Sequence, residues 1–324
     1  MNILVYGAGV LGSYLAHVLV RGGHDVTVLA RGKRAEELEQ SGLVIRHYFQ
    51  RKTTVDRTRV IRSLDAEESF DLIFVVMTYP DFPSVLPVLA ANQSRHIVLV
   101  GNNADSRRMQ HELQQMSRTD KQVAFGFQIS AGRRENGRIV CIRAGGQMVL
   151  GGIDVPVSFR SLLEKAFEST KYKLVFHKDM DAWLKSHIVP ILAMNAALFA
   201  KGGRLQEIAK DKEIRTQIIA AIDEGFGVLE ALGYTITPAG QAAFFRNHKR
   251  TASLALKIYH SVPVARLVDG SFEEIAAFFE AFGDWKRNAG IPTPRLDDLE
   301  KQFFFSKNTD IQHLQLSSID RVGE

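Results

Sequence analysis

A chain of 324 residues can hold two ordinary domains, and 45% hydrophobic against 24% charged residues is the balance of a globular protein with a sizeable core. Its single cysteine, Cys141, excludes an internal disulfide and zinc-finger ligand spacing. The net charge of +5 suits an anionic ligand, whereas no RNP-like, zinc-finger or aromatic-interleaved basic pattern points to nucleic acid.

Asn2–Tyr6 reads as a short buried strand, and Gly7 to Gly12 follows it without a gap. Apolar residues recur at helical spacing from Val10 to Val20, and Arg21-Gly22-Gly23 ends that helix. Asp25–Leu29 is a second apolar strand, which completes a βαβ unit with a right-handed crossover. Strand-like runs at Leu72–Met77, His96–Val100 and Gln122–Phe127 alternate with helical segments, the pattern of a doubly wound parallel sheet. Arg138–Ile142 and Gln147–Gly151 read as a hairpin joined by Gly145-Gly146. A helix over Phe159–Glu168 and a strand at Leu174–Phe176 finish a first domain over 1–177.

Beyond His177 the glycine-punctuated strands give way to helical patterns at Asp181–Phe199, Ile214–Leu232, Pro238–Leu256, Phe272–Ala289 and Pro294–Phe304. Short breaks at Gly202-Gly203 and Leu232-Gly233 suit a helical bundle over 178–306, followed by a polar tail over 307–324. The expected class is α/β: an N-terminal Rossmann-type doubly wound parallel sheet followed by an all-helical C-terminal domain.

Gly7-Ala8-Gly9-Val10-Leu11-Gly12 is a GxGxxG pattern between a strand and a helix, the context in which it marks a dinucleotide site. Gly7 permits the tight turn, Gly9 the approach of a pyrophosphate to the backbone, and Gly12 the packing of helix on strand. The pyrophosphate would lie against the first amides of the helix. After the second strand an NAD site would carry a carboxylate for the ribose hydroxyls. Here stand Arg31, Lys33 and Arg34, with no carboxylate before Glu36. A guanidinium binds a 2′-phosphate that a carboxylate would repel, so NADP(H) is the expected cofactor.

These residues resemble the ketopantoate reductase (2-dehydropantoate 2-reductase) family over roughly 1 to 305. The resemblance rests on the initial GAGVLG, Arg31, the Asn after the fourth strand, Trp183-Leu184-Lys185 and a late Glu followed by Gly290-Ile291-x-x-Pro294. It also takes in Ser130-Ala131-Gly132-Arg133-Arg134-Glu135-Asn136-Gly137. Members reduce a 2-oxo acid with NADPH and make pantoate, a precursor of pantothenate. The resemblance implies Gly7, Gly9, Gly12 and Arg31 for the cofactor, and Asn102 near nicotinamide and substrate. It further implies Lys185 as the catalytic lysine, Glu274 as the active-site glutamate, with Glu273 beside it, and Ser253 near the substrate carboxylate.

The residue types make chemical sense by themselves. Hydride addition to a ketone builds negative charge on the carbonyl oxygen, which a cationic donor such as Lys185 would stabilise and protonate. The alternatives are bland: a solvated lysine, an Asn102 that only caps the next helix, a Ser253 that only faces water. The chain also departs from the family. Val189 and Ala193 stand where asparagines follow the lysine at four and eight residues, and Pro190 between them predicts a kink. Asn195 lies on another face of that helix, and His187 is a new polar neighbour of Lys185. Thr78 or Tyr79 replaces a family lysine, and Gly101 a histidine.

The reading is an NADPH-dependent reductase of a small 2-oxo acid with Lys185 as general acid. The alternatives are a family oxidoreductase acting on a less polar oxo substrate and a non-catalytic NADP(H)-binding sensor. No tight His/Asp/Glu cluster points to a metal. No secretion signal is seen, and apolar stretches such as Ile188 to Ala200 read as too short for a bilayer. A cytoplasmic protein without membrane or nucleic-acid partners is expected, with a homodimer as the candidate assembly.

Overall fold

The computed structural model describes residues 1–262 and 270–319, without the side chains of 142–145 and 307–319. The chain forms two compact units, Met1–Leu184 and Lys185–Glu324. In the first, β1 (Asn2–Tyr6), α1 (Val10–Arg21) and β2 (Asp25–Leu29) are followed by α2 (Gly32–Ser41). Then come β3 (Leu43–His47), β4 (Lys52–Asp56), β5 (Arg59–Ile61) and β6 (Leu72–Val76). A short 3-10 turn over Tyr79–Asp81 leads to α3 (Phe82–Ala91), β7 (His96–Val100) and α4 (Ser106–Met116). The unit closes with β8 (Gln122–Glu135), β9 (Arg138–Gly151), α5 (Arg160–Phe167) and β10 (Lys173–Phe176).

These strands form one sheet in the order β4-β3-β9-β8-β7-β6-β1-β2-β5, with β10 pairing β9 outside that path. Most neighbours are parallel; β8 with β9 and β3 with β4 are antiparallel. The fold class is therefore α/β with a parallel-dominated sheet. Every residue of β6 is buried, as a strand covered on both faces requires. The chain winds from β1 to β2 and β5 on one side, then returns to β6 on the other. That reversal makes the carboxyl ends of β1 and β6 the place where such sheets leave a crevice.

The expected hairpin at Gly145-Gly146 is corrected. β9 is one strand, and the turn lies at Asn136-Gly137, between the paired Glu135 and Arg138. Asn136 (φ +47°) and Gly137 (φ +77°) supply the two positive φ angles that a tight two-residue hairpin needs. The glycine pair instead falls at a register shift, where Ile129 opposes Gln147 and Ala131 opposes Ile142.

The second unit is helical: α6 (Met180–Ala200, beginning in the first unit), α7 (Leu205–Lys210), α8 (Lys212–Ala231), α9 (Gln241–Asn247), α10 (Lys249–Ser261), α11 (Phe272–Ala289) and α12 (Pro294–Ile319). α8 lies against α7, α9, α10, α11 and α12, burying Ile214, Ile218, Ile222 and Phe226. Its first turn is capped by Asp211, whose carboxylate accepts from the amides of Glu213 and Ile214. Phe272 stacks on Phe303 at 4.3 Å, with Phe199 packed edge-on against both. The helix expected over Pro238–Leu256 is two. Gly240 (φ +84°) delays the start, and His248 leaves helical geometry between α9 and α10. α12 continues to Ile319, past the expected start of a tail at 307; residues 320–324 of that tail lie outside the described residues.

α6 also corrects an expectation. Its 21 residues and hydropathy of 1.3 over an 18-residue window suffice to cross a bilayer by length and composition. The expectation failed because it stopped at Ile188, whereas the helix begins at Met180. Buried residues make up 78% of that window, so the apolar surface is already covered by protein, as in a core helix.

Candidate functional site

The first unit places the glycine motif at the reversal point. β1 ends at Tyr6, and Gly7 turns the chain with φ +113°; a Cβ there would lie 2.2 Å from the Val76 carbonyl oxygen. A Cβ on Gly12 would lie 1.9 Å from the Gly7 carbonyl oxygen, so the first turn of α1 sits directly on the loop. Gly9 differs: a Cβ there would meet nothing within 4 Å. Two glycines are thus demanded by the protein itself, and the third borders open space. Gly9 is the N-cap of α1, and its carbonyl accepts the amide of Ser13 at 3.0 Å. The amides of Val10, Leu11 and Gly12 precede that bond and stand as donors at the positive end of the helix.

A cavity of about 280 Å³ opens here, lined by Gly7, Ala8, Gly9, Arg31, Arg34 and Arg134 among others. The basic run read as one loop divides by role. Arg31 is the exposed N-cap of α2, and Lys33 is exposed on that helix. Arg34 is buried: its Nε donates to the Ala8 carbonyl (3.0 Å) and Nη2 to Ser13 Oγ (3.0 Å). Its Nη1 donates to the Gly137 carbonyl (2.9 Å) and to Glu37 (3.1 Å). Burial pulls the Arg34 guanidinium below its ordinary value, with Glu37 opposing the shift. Arg34 therefore ties the glycine turn, α1 and the β8–β9 hairpin together.

Asn102 follows β7 and is half-buried. The preparatory turn for α4 belongs to its neighbour: the Asn103 side-chain oxygen accepts the Asp105 amide at 2.8 Å. A Cβ on Gly101 would lie 2.4 Å from the Met77 carbonyl oxygen, so the loop here leaves no room for the histidine of the family pattern. Tyr79, one replacement for the family's lysine, is buried and donates from its hydroxyl to Asp105 at 2.6 Å.

In the second unit Lys185 is buried on α6, only 6% exposed. Its Nζ lies 5.0 Å from the Tyr234 ring centre and 5.7 Å from that of Trp285, within cation–π range. Trp285 is on α11, about three turns after Glu274. Glu274 is buried and Glu273 exposed, so the structure distinguishes the two carboxylates that the sequence left side by side. Ser271 caps α11, its hydroxyl accepting the Glu274 amide at 3.2 Å. Ser253 is half-buried and accepts from Arg215 Nε at 3.2 Å. Arg215 is itself buried, its Nη1 donating to the carbonyls of Ile208 and Ala209. Val189 and Ala193 are fully buried, and α6 runs on through Pro190. Asn195 is spent on its neighbours, donating to the Ile191 carbonyl and accepting the Gly270 amide.

Burial pushes the His187 imidazole down to about 4. The folded state then prefers neutral His187, so stability is full above the unfolded value near 6.5 and falls as pH drops towards 4. Urea unfolding at pH 7.5 and pH 5 should differ by about 2 kcal/mol from this residue, a difference absent in His187→Leu.

Three residues escaped the sequence reading, Arg215, Tyr234 and Trp285, and Arg134 was read only as part of the segment over 130–137, with no role. A lone arginine or aromatic carries no local pattern, and only the fold brings these side chains to the motif residues.

Fold and glycine turn together define a Rossmann-type α/β protein with a helical second unit. Residues 3–154 match the family described as ketopantoate reductase PanE/ApbA. An uncharacterized oxidoreductase, YkpB of Bacillus subtilis (strain 168), is 27% identical over 250 residues, covering 76% of this chain and 80% of that protein. The crystal structure of 2-dehydropantoate 2-reductase from Methylococcus capsulatus superposes with a TM-score of 0.73 at 21% identity, covering 96% of this chain and 97% of that one. D-mandelate dehydrogenase, solved with NADH and anilino(oxo)acetate, gives 0.74 at 14% identity, covering 95% and 99%. At these identities the structures speak for the fold.

Proposed function

We propose that the protein is an NADPH-dependent reductase of a small 2-oxo acid. The observation that carries this reading is Lys185, an ammonium buried against two aromatic rings at the position matching the family's catalytic lysine. A charge is costly to bury, and a lysine held this way rather than in water is more readily explained by chemistry than by stability.

The residues of the first unit fit a dinucleotide. The open side of Gly9 and the first amides of α1 suit a pyrophosphate, and Arg31 suits a 2′-phosphate. Gly7 and Gly12 shape the turn, while Ala8, Val10 and Leu11 complete it. Bound there, the reduced nicotinamide supplies a hydride. Asn102 is assigned to orient nicotinamide and substrate. Lys185 Nζ donates a proton to the carbonyl oxygen as negative charge builds on it. Glu274 is assigned to orient Lys185 or to accept from a substrate hydroxyl, and Ser253, polarised by Arg215, to hold the substrate carboxylate.

Arg31→Glu should weaken NADPH binding about 10- to 100-fold and leave NADH within about threefold, measured by nucleotide fluorescence.

A second reading narrows the substrate. Val189 and Ala193 put buried apolar side chains where the family pattern has asparagines, and Tyr234 and Trp285 surround Lys185. This favours an oxo acid with an apolar or aromatic side chain over a hydroxylated one. The test is NADPH oxidation with ketopantoate beside a panel of alkyl and aryl 2-oxo acids. Turnover of ketopantoate alone supports the first reading, and turnover of aryl 2-oxo acids the second. Tight NADPH binding without oxidation by any of them would overturn both and leave a nucleotide-binding sensor.

A further inference from the structure

We infer that Arg134, on the β8–β9 hairpin, is a second guanidinium for the cofactor's 2′-phosphate, facing Arg31 across the adenosine end of the cavity. The inference rests on the NADP(H) reading above and adds a specificity residue from a separate element.

Arg134 lines the same cavity as Arg31. Both side chains are exposed, and neither has a hydrogen-bond or ion-pair partner among the described residues. Alternation along the strand sets its direction. Gly132 turns its bare face to α1, where a Cβ would lie 2.9 Å from Val10 Cγ1 and 2.3 Å from the Val140 carbonyl oxygen. Arg134, two residues on, shares that face. Arg133 takes the opposite face and is engaged there by Glu135.

The hairpin is held in place. Its Asn136-Gly137 turn presents the Gly137 carbonyl to Arg34 at 2.9 Å, and Arg34 stands one turn into the helix that Arg31 caps. One buried guanidinium thus braces the two elements that carry the free ones. Arg34 has its own countercharge in Glu37 at 3.1 Å. Asp81 also lines the cavity and is occupied by the Thr78 hydroxyl at 2.5 Å. A phosphate monoester carries a charge of about −1.5 to −2 at neutral pH, which one guanidinium cannot neutralise and two can. A nicotinamide dinucleotide without the 2′-phosphate would leave both arginines in water at no gain.

The test is direct binding to the full chain by titration, with NADPH, NADH, 2′,5′-ADP and 5′-AMP as probes. Arg134→Gln should lose about 10- to 100-fold in affinity for NADPH and 2′,5′-ADP, the worth of a charge-assisted contact. NADH and 5′-AMP should stay within about twofold, and Arg134→Lys should fall between. Arg133→Gln should behave as wild type. A wild-type preference for NADPH that Arg134→Gln leaves intact, while Arg31→Gln removes it, would overturn the inference alone. Wild-type protein that binds NADH as tightly as NADPH would overturn the NADP(H) reading and this inference with it.

Discussion

Replacing Lys185 by methionine should lower kcat with the best 2-oxo acid by about 10²- to 10⁴-fold, the usual worth of a positioned proton donor. NADPH affinity should stay within about twofold, because the residues assigned to the dinucleotide belong to the first unit. Methionine fills much of the same volume between Tyr234 and Trp285, so the helical unit should keep its cooperative melting. Lys185→Arg sharpens the test. Arginine keeps the positive charge and the ring contacts but does not release a proton near neutral pH. If Lys185 acts as general acid, the arginine variant should be nearly as inactive as the methionine one. An arginine variant with most of the wild-type rate would show that charge alone is required and would remove the general-acid role.

The second large effect separates two glycines of one motif. Gly12→Ala forces a Cβ to within 1.9 Å of the Gly7 carbonyl oxygen, and backbone must move to admit it. It should cost about 1–3 kcal/mol and lower the melting temperature by roughly 2–12 °C, taking nucleotide binding with it. Gly9→Ala meets no protein atom within 4 Å and should melt within about 2 °C of wild type. It should nonetheless bind NADPH at least about tenfold more weakly, because its methyl occupies space assigned to the pyrophosphate. Thermal melts and titrations of the two variants check both statements. Full NADPH affinity in a stable Gly9→Ala protein would move the pyrophosphate away from this loop.

Much of this was legible from the residues in order. The glycine turn between Asn2–Tyr6 and α1 was readable because its three glycines stand at fixed spacing between a buried strand and a helix, all of it a local pattern. The core strands at Asp25–Leu29 and His96–Val100 coincide with their apolar runs for the same reason. Short edge strands were not legible: Lys52–Asp56 is largely polar, and only pairing with β3 makes it a strand. The Gly145-Gly146 error arose because a glycine pair signals either a turn or a bulge. Which one holds depends on the partner strand, and Asn136-Gly137 was the turn pair that the strand geometry could use.

What the sequence determined by itself, then, is the βαβ start, the change to helices after the sheet, and the candidate residues that a family resemblance could carry over one at a time. Tertiary structure alone decided which of several basic residues is a brace and which are free. Arg31 and Arg34 look alike three positions apart, yet one faces water and the other is buried in four hydrogen bonds. It decided likewise between Glu273 and Glu274, and it brought Arg134 to Arg31 and the two aromatic rings to Lys185. The reason is physical: periodicity reports which face of an element is apolar, whereas burial and partners of a charge depend on chain segments far away in sequence.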